Sequence, residues 1–239
     1  MTDVIPAAST PRIPVRGGGL PSDSTFPVRR IYCVGRNFAD HAREMGASID
    51  RGQPVFFCKP ADAIVVDGVV PYPPGTQDLH HEVELVVALG HDAPIGVLDP
   101  ADAPALVFGY GIGLDLTRRD LQAAAKAKGL PWDTGKAFDH AAPVSEIVPA
   151  HEVGPLAARG LSLKVNDTLR QQSGLDQMIW NVADILRELS KLYALRAGDL
   201  VFMGTPAGVG PLQAGDRFVA SLDDLITLRG VVAPPRAPG

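Results

Sequence analysis

Punctuation is what most limits this chain: its apolar runs are short, and glycine and proline (25 and 22 in 239 residues) keep breaking them. Proline removes a backbone donor and glycine weakens element interiors, so many short strands joined by turns are expected rather than long elements. Residues 30–35, 55–59, 63–66, 82–89, 107–114 and 161–165 read as strands, and further strands recur at 200–203, 217–222 and 226–232. Asp67-Gly68 and Asn166-Asp167 read as turns between them. Three segments read as helices. One spans 38–45 and is closed by Gly46. A second starts at Thr117, with Asp120 three residues on as in a capping box, and stops at Gly129 before Pro131. The third spans 176–192, where Ile179, Val182, Ile185, Leu186 and Leu189 recur at helical spacing. Strands with a few helices inserted, without regular βαβ alternation, predict a mixed-β or α+β domain and disfavour a TIM barrel or doubly wound sheet.

A chain of this length that is 46% hydrophobic can bury one large core. The expected division is a catalytic-size domain over 28–239 behind an arm, 1–27, rich in Pro, Gly, Ser and Thr. That arm is expected to be flexible, or to order as a strand only against the domain. A net charge of -5 with no unmixed basic cluster argues against nucleic-acid and membrane-surface partners. No apolar run is long enough for a membrane span, and no basic start precedes an apolar segment as in a signal peptide. Cys33 and Cys58 sit in apolar runs, which fits buried, reduced thiols in a cytoplasmic protein.

The chemistry-bearing residues fall into four groups. In His80-His81-Glu82-Val83-Glu84, the two glutamates lie two apart on a strand and share a face. Such a pair is either a solvated strand edge or a cation site, and here Leu85, Val86 and Val87 carry it into a core strand. Asp115 closes the apolar run 109–114, at the end of a buried strand. Three oxygen donors without a thiolate suit a hard cation, Mg²⁺ or Mn²⁺, better than zinc. His41 and Glu44 would share a helix face; they are an ordinary polar face or a base with its orienting carboxylate. Arg119, Gln122 and Lys126 recur along one face of the next helix, and Lys136 sits between Trp132 and Phe138. Both patterns are equally those of a solvated surface. Gly204-Thr205-Pro206-Ala207-Gly208-Val209-Gly210 is a plain turn, or a loop that offers backbone N–H groups to an anion.

Taken in order, these segments resemble the fumarylacetoacetate hydrolase family from about Arg29 to the last strands. The motifs are Gly35-Arg36-Asn37 with His41 and Glu44, Lys59-Pro60, His81-Glu82-Val83-Glu84 and Asp115-Leu116-Thr117-Arg118-Arg119-Asp120. Lys136-Ala137-Phe138, Val165-Asn166, Gly198-Asp199 and the Gly204–Gly210 loop complete them. Gly129-Leu130-Pro131-Trp132 and Pro143-Val144-Ser145 look like the branch that hydrolyses acylpyruvates. Trp132-Asp133 and Leu121-Gln122 are similar to bacterial members that act on fumarylpyruvate in gentisate breakdown. Two departures are Phe38, where the family commonly has Tyr, and Leu222-Asp223-Asp224-Leu225, which lacks the usual glycine between the last strands.

The resemblance implies a β-sandwich roll with a few helices, a homodimer, and Mg²⁺ or Mn²⁺ on Glu82, Glu84 and Asp115. It implies a His41–Glu44 dyad on a lid that activates water, with Lys136 and Gln122 stabilising the oxyanion. Arg36, Arg119, Gly204 and Thr205 would then bind a small diketo acid. Two other activities share such a metal site: oxaloacetate decarboxylation, and decarboxylation or isomerisation of hydroxymuconate-type diacids. The presence of both His41 and Glu44 favours hydrolysis, and the full residue set argues against a silent ligand-binding member.

Overall fold

The computed structural model describes residues 4–40 and 52–235. A six-stranded sheet runs in the order Val148–Pro149, Val107–Leu114, Val83–Leu89, Asp199–Phe202, Arg30–Gly35, Val55–Lys59. Its pairings are antiparallel except that of Asp199–Phe202 with Arg30–Gly35. All seven residues of Val83–Leu89 are buried, as a central strand covered on both faces requires.

A five-stranded sheet shares the same core, in the order Thr168–Gly174, Gly160–Val165, Arg217–Leu222, Ile226–Ala233, Val69–Pro71. Leu161, Leu163 and Val165 alternate inward against Phe218, Ala220 and Leu222 of the neighbouring strand, the period of two that a half-covered sheet imposes. A three-stranded ribbon, Thr117–Arg118, Leu79–His81 and Gly210–Leu212, closes one end and positions the site. This is the mixed β architecture, with few helices, that the strand pattern predicts. No helix among the described residues is long and apolar enough to cross a membrane.

Three expectations change, and one alternative is decided. Arg12–Pro14 pairs with Thr25–Pro27, and Ile13, Val15 and Phe26 enter the core, so from Arg12 the N-terminal segment takes the second of its two expected forms, strand ordered against the domain. The helix expected at Thr117 is Arg119–Lys128, because the Thr117 hydroxyl donates to the Asp115 carbonyl and accepts from Lys136 instead of capping. Its end at Gly129, with φ +63°, stands as expected. The long helix shortens to Val182–Ser190: the Ile179 N–H is taken by the Asn37 carbonyl, and the Asn181 side chain caps the Asp184 N–H. Cys33 is buried but Cys58 is exposed.

The glycine-free connection between the last strands is accommodated, since Asp223 takes φ +45° and Arg217–Leu222 pairs along its whole length with Ile226–Ala233. Phe38 is buried and bridges Met178. The expected helix over 38–45 begins at Ala39 and Asp40; the rest of it, His41 and Glu44 included, lies outside the described residues.

Candidate metal centre

Backbone register brings the first two carboxylates together. Val83 pairs with Leu114, and beyond that pair the Asp115 N–H donates to the Glu82 carbonyl at 2.8 Å. Glu84, one pleat further along, faces Gly113. Glycine there leaves room on the sheet: a Cβ at Gly113 would lie 2.8 Å from the Phe202 ring. One oxygen from each of Glu82, Glu84 and Asp115 lies within 4.8 Å of the others, and the three residues are 6%, 1% and 1% exposed.

Three buried carboxylates are costly unless positive charge or N–H donors face them. Lys136, 2% exposed, donates from Nζ to Glu82 Oε2 (2.7 Å), Asp115 Oδ2 (2.7 Å) and Thr117 Oγ1 (2.6 Å). Its three N–H groups are thereby engaged. Burial alone would lower its pKa, but Asp115 and Glu82 outweigh that and hold it above the ordinary value. Arg119 donates to Glu82 Oε1 at 2.6 Å and to Gln122 Oε1 at 2.7 Å. Glu84 receives the Gly204 N–H at 2.7 Å. Burial first, then Asp115 and Glu82, raise the Glu84 carboxyl well above its usual range.

The donor set fits a divalent cation. Lys59 Nζ lies 2.8 Å from Asp115 Oδ1 as a buried ion pair outside hydrogen-bond geometry, and that oxygen has no hydrogen-bond partner among the described residues. Three converging buried carboxylates with no sulfur suit Mg²⁺ or Mn²⁺. A cation there would also lower the Glu84 pKa that burial raises.

Above the triad lies a narrow cleft of about 40 Å³. Glu82, Glu84, Arg36, Arg119, Gln122, Lys136 and Thr205 line it, with Phe57 and Trp132 as apolar wall. Gln122 accepts from Arg119 through Oε1, which leaves its amide N–H groups to the cleft. Gly204 and Thr205 enter differently: the Gly204 N–H is committed to Glu84, whereas Thr205 belongs to the lining. Gly204 has φ +89°, and a Cβ there would lie 2.7 Å from Asn37 Cβ and 3.0 Å from the Val34 carbonyl, so glycine is required for this donor to reach Glu84.

Asn37 holds the cleft's rim, with its amide donating to the carbonyls of Met203 and Trp180 and its oxygen accepting from the Trp180 N–H. Sequence reasoning gave no place in the site to Lys59, Thr117, Asn37 or Gln171: Lys59 and Asn37 stood only within the family motifs, Thr117 also as a helix cap, and Gln171 nowhere.

A mixed-β domain with a buried all-oxygen triad, backed by lysine and arginine and open to a small cleft, defines the divalent-metal site of an enzyme. Comparison with known proteins narrows this. The model of the fumarylacetoacetate (FAA) hydrolase C-terminal family matches residues 30–233. The chain belongs to the fumarylacetoacetate hydrolase family. It is 41% identical over 214 residues to mouse oxaloacetate tautomerase FAHD1, mitochondrial, covering 86% of this chain and 96% of that protein. It is 41% identical over 194 residues to a fumarylpyruvate hydrolase of Ralstonia sp, covering 80% and 99%. The crystal structure of fumarylpyruvate hydrolase from Pseudomonas aeruginosa in complex with Mn²⁺ and pyruvate superposes with a TM-score of 0.91 at 43% identity, covering 98% of this chain and 100% of the other.

Proposed function

We propose that this chain hydrolyses a carbon–carbon bond in an acylpyruvate, with fumarylpyruvate as substrate and fumarate and pyruvate as products. The observation that carries this reading is full-length similarity to a fumarylpyruvate hydrolase whose structure contains Mn²⁺ and pyruvate, in a chain whose own triad fits that ion. A divalent cation on Glu82, Glu84 and Asp115 supplies Lewis-acid polarisation at the pyruvyl end of the substrate.

The remaining tasks fall to side chains. Lys136 holds Glu82 and Asp115 converged on one ammonium. Arg119 and Thr205 anchor the substrate carboxylate, with Arg36 at the rim. His41, oriented by Glu44, takes a proton from water, and the resulting hydroxide attacks the distal acyl carbonyl. Gln122 donates an amide N–H to the oxyanion formed there. When the bond from that carbonyl to the methylene breaks, its electron pair stays with the pyruvyl fragment. The proton held by His41 passes to that carbon, giving pyruvate, and the acyl fragment leaves as a carboxylic acid.

A second reading, keto–enol conversion or decarboxylation of oxaloacetate, is favoured by the equal identity to the mouse tautomerase. Those reactions need no attacking water. An absorbance assay of the enolised diketone therefore separates them, using fumarylpyruvate, acetylpyruvate and oxaloacetate with Mg²⁺ or chelator. The expected result is Mg²⁺-dependent cleavage of fumarylpyruvate that falls about 10²–10⁴-fold in His41→Ala. Oxaloacetate turnover untouched by His41→Ala, with no fumarylpyruvate cleavage by the wild type, establishes the second reading instead.

A further inference from the structure

Gln171, on the strand Thr168–Gly174, is 1% exposed and uses its whole amide. Its Oε1 accepts the Val83 N–H at 3.1 Å and lies 2.9 Å from His81 Nδ1. Its Nε2 donates to Thr205 Oγ1 at 2.8 Å and to the Pro206 carbonyl at 2.9 Å. Two of these partners permit one orientation alone, because a backbone N–H only donates and a carbonyl only accepts. A flipped amide would set donor against donor at Val83 and acceptor against acceptor at Pro206, both in buried surroundings. With the orientation fixed, His81 Nδ1 must carry a hydrogen, and Thr205 Oγ1 must accept one.

The consequence falls on Thr205. Its oxygen receives the Gln171 N–H, so the single hydroxyl hydrogen is left over, and it has no acceptor among the described residues. Thr205 lines the cleft together with Glu82, Glu84, Arg119 and Lys136. A hydroxyl with no such constraint can donate or accept as its partner requires. We propose that Gln171 is a positioning residue that makes Thr205 an obligate hydrogen-bond donor to the substrate. It thereby selects ligands presenting an anionic or keto oxygen at this end of the cleft over those presenting a hydroxyl or amide hydrogen. The inference rests on the oxo-acid reading of the site and deepens it.

Full-length protein loaded with Mn²⁺ is titrated calorimetrically with pyruvate, as wild type, Thr205→Ser, Thr205→Val, Gln171→Glu and the Gln171→Glu/Thr205→Val pair. Neutral in this buried place, the glutamic acid keeps an acceptor toward Val83, donates its one hydrogen to the Pro206 carbonyl and turns a lone pair toward Thr205, drawing the hydroxyl hydrogen away from the cleft. Thr205→Ser should bind as the wild type does, whereas Thr205→Val and Gln171→Glu should each weaken pyruvate about tenfold. The pair should be no more than about twofold weaker than either single variant, because both changes remove one and the same hydrogen bond. Mn²⁺ affinity should stay within about twofold of wild type throughout.

A multiplicative loss of about 100-fold in the pair, or Mn²⁺ affinity falling in step with pyruvate, makes Gln171 a structural residue and overturns the inference. Should Gln171→Glu fail to fold, the imidazole nitrogen shifts of His81 in the Mg²⁺-loaded wild type decide. A hydrogen on Nδ1 supports the orientation; a bare Nδ1 overturns it. A wild type that binds Mn²⁺ but not pyruvate refutes the oxo-acid reading instead, and the His81 measurement tells the two failures apart.

Discussion

Replacing Lys136 by methionine deletes one charge from the middle of the site and nearly keeps its volume. In the wild type the Lys136 ammonium donates at 2.7 Å to Glu82 and at 2.7 Å to Asp115, fully out of bulk water. Removing one partner of a buried ion pair costs roughly 3–5 kcal/mol. Here Arg119 still faces Glu82 and Lys59 still faces Asp115, so the lower figure of about 3 kcal/mol applies to the metal-free protein. For a chain of this size that is a fall in Tm of roughly 6–12 °C. A divalent cation answers the same surplus of negative charge. In the wild type the ammonium occupies carboxylate lone pairs that a cation would use, so the variant should bind Mn²⁺ more tightly. Each tenfold gain in affinity closes the stability gap by about 1.4 kcal/mol at saturating metal. The assay is urea unfolding of both proteins, in chelator and in excess Mn²⁺. The expected gap is about 3 kcal/mol in chelator and about half that with metal. An equal gap under both conditions would mean that the ammonium and the cation do not answer the same negative charge, and no gap in chelator would remove the charge argument altogether.

Two further expectations follow from the same carboxylates. Because the folded-state pKa of Glu84 is raised, the folded protein binds the extra proton, and metal-free stability is lost as pH climbs from the ordinary value of 4.5 through the raised one. His80 and His81, lowered by burial, act in the opposite sense, so the quantity to follow in chelator is wild type against Glu84→Gln. The variant should gain on the wild type as pH rises, and a difference that stays constant with pH refutes the assignment. Gly204→Ala should cost about 1–3 kcal/mol in urea unfolding, from its φ of +89° and the crowding at Asn37, and should weaken Mn²⁺ binding. Full Mn²⁺ affinity in a folded Gly204→Ala protein would show that the Gly204 N–H does not orient Glu84.

The parts of the site legible in the sequence were charges at the ends of apolar runs. Glu84 and Asp115 read as unusual because Val83–Leu89 and Val107–Leu114 leave them nowhere to go but inward. Lys136 carried no such mark, since its neighbours suit a surface lysine and its partner Glu82 is 54 residues away. Gln171 was less visible still: it sits in a polar stretch, and its burial comes from the loop folded over it, not from its own strand. The strand pattern was readable because glycine and proline end elements by local sterics. The errors arose where a group had a distant partner, as when the Lys136 side chain drew Thr117 away from a helix cap and the Asn37 backbone carbonyl held the Ile179 N–H outside the helix. Ile13 and Val15 alternate as a strand should, but the prolines and glycines around them masked the signal.

The Asp115 N–H bond to the Glu82 carbonyl makes the backbone ladder a gauge for the metal site. A gauge of this kind has a free end and a fixed end. Between Leu89 and Val107 the chain wanders through exposed residues such as Ile95, and added length there would leave the spacing of the two carboxylates unchanged. Loss of a single residue inside Val107–Leu114 would swing every later side chain to the other face and carry Asp115 out of reach. Variation in chain length around this hairpin is thus tolerable on one side only, and the metal site itself is what makes it so.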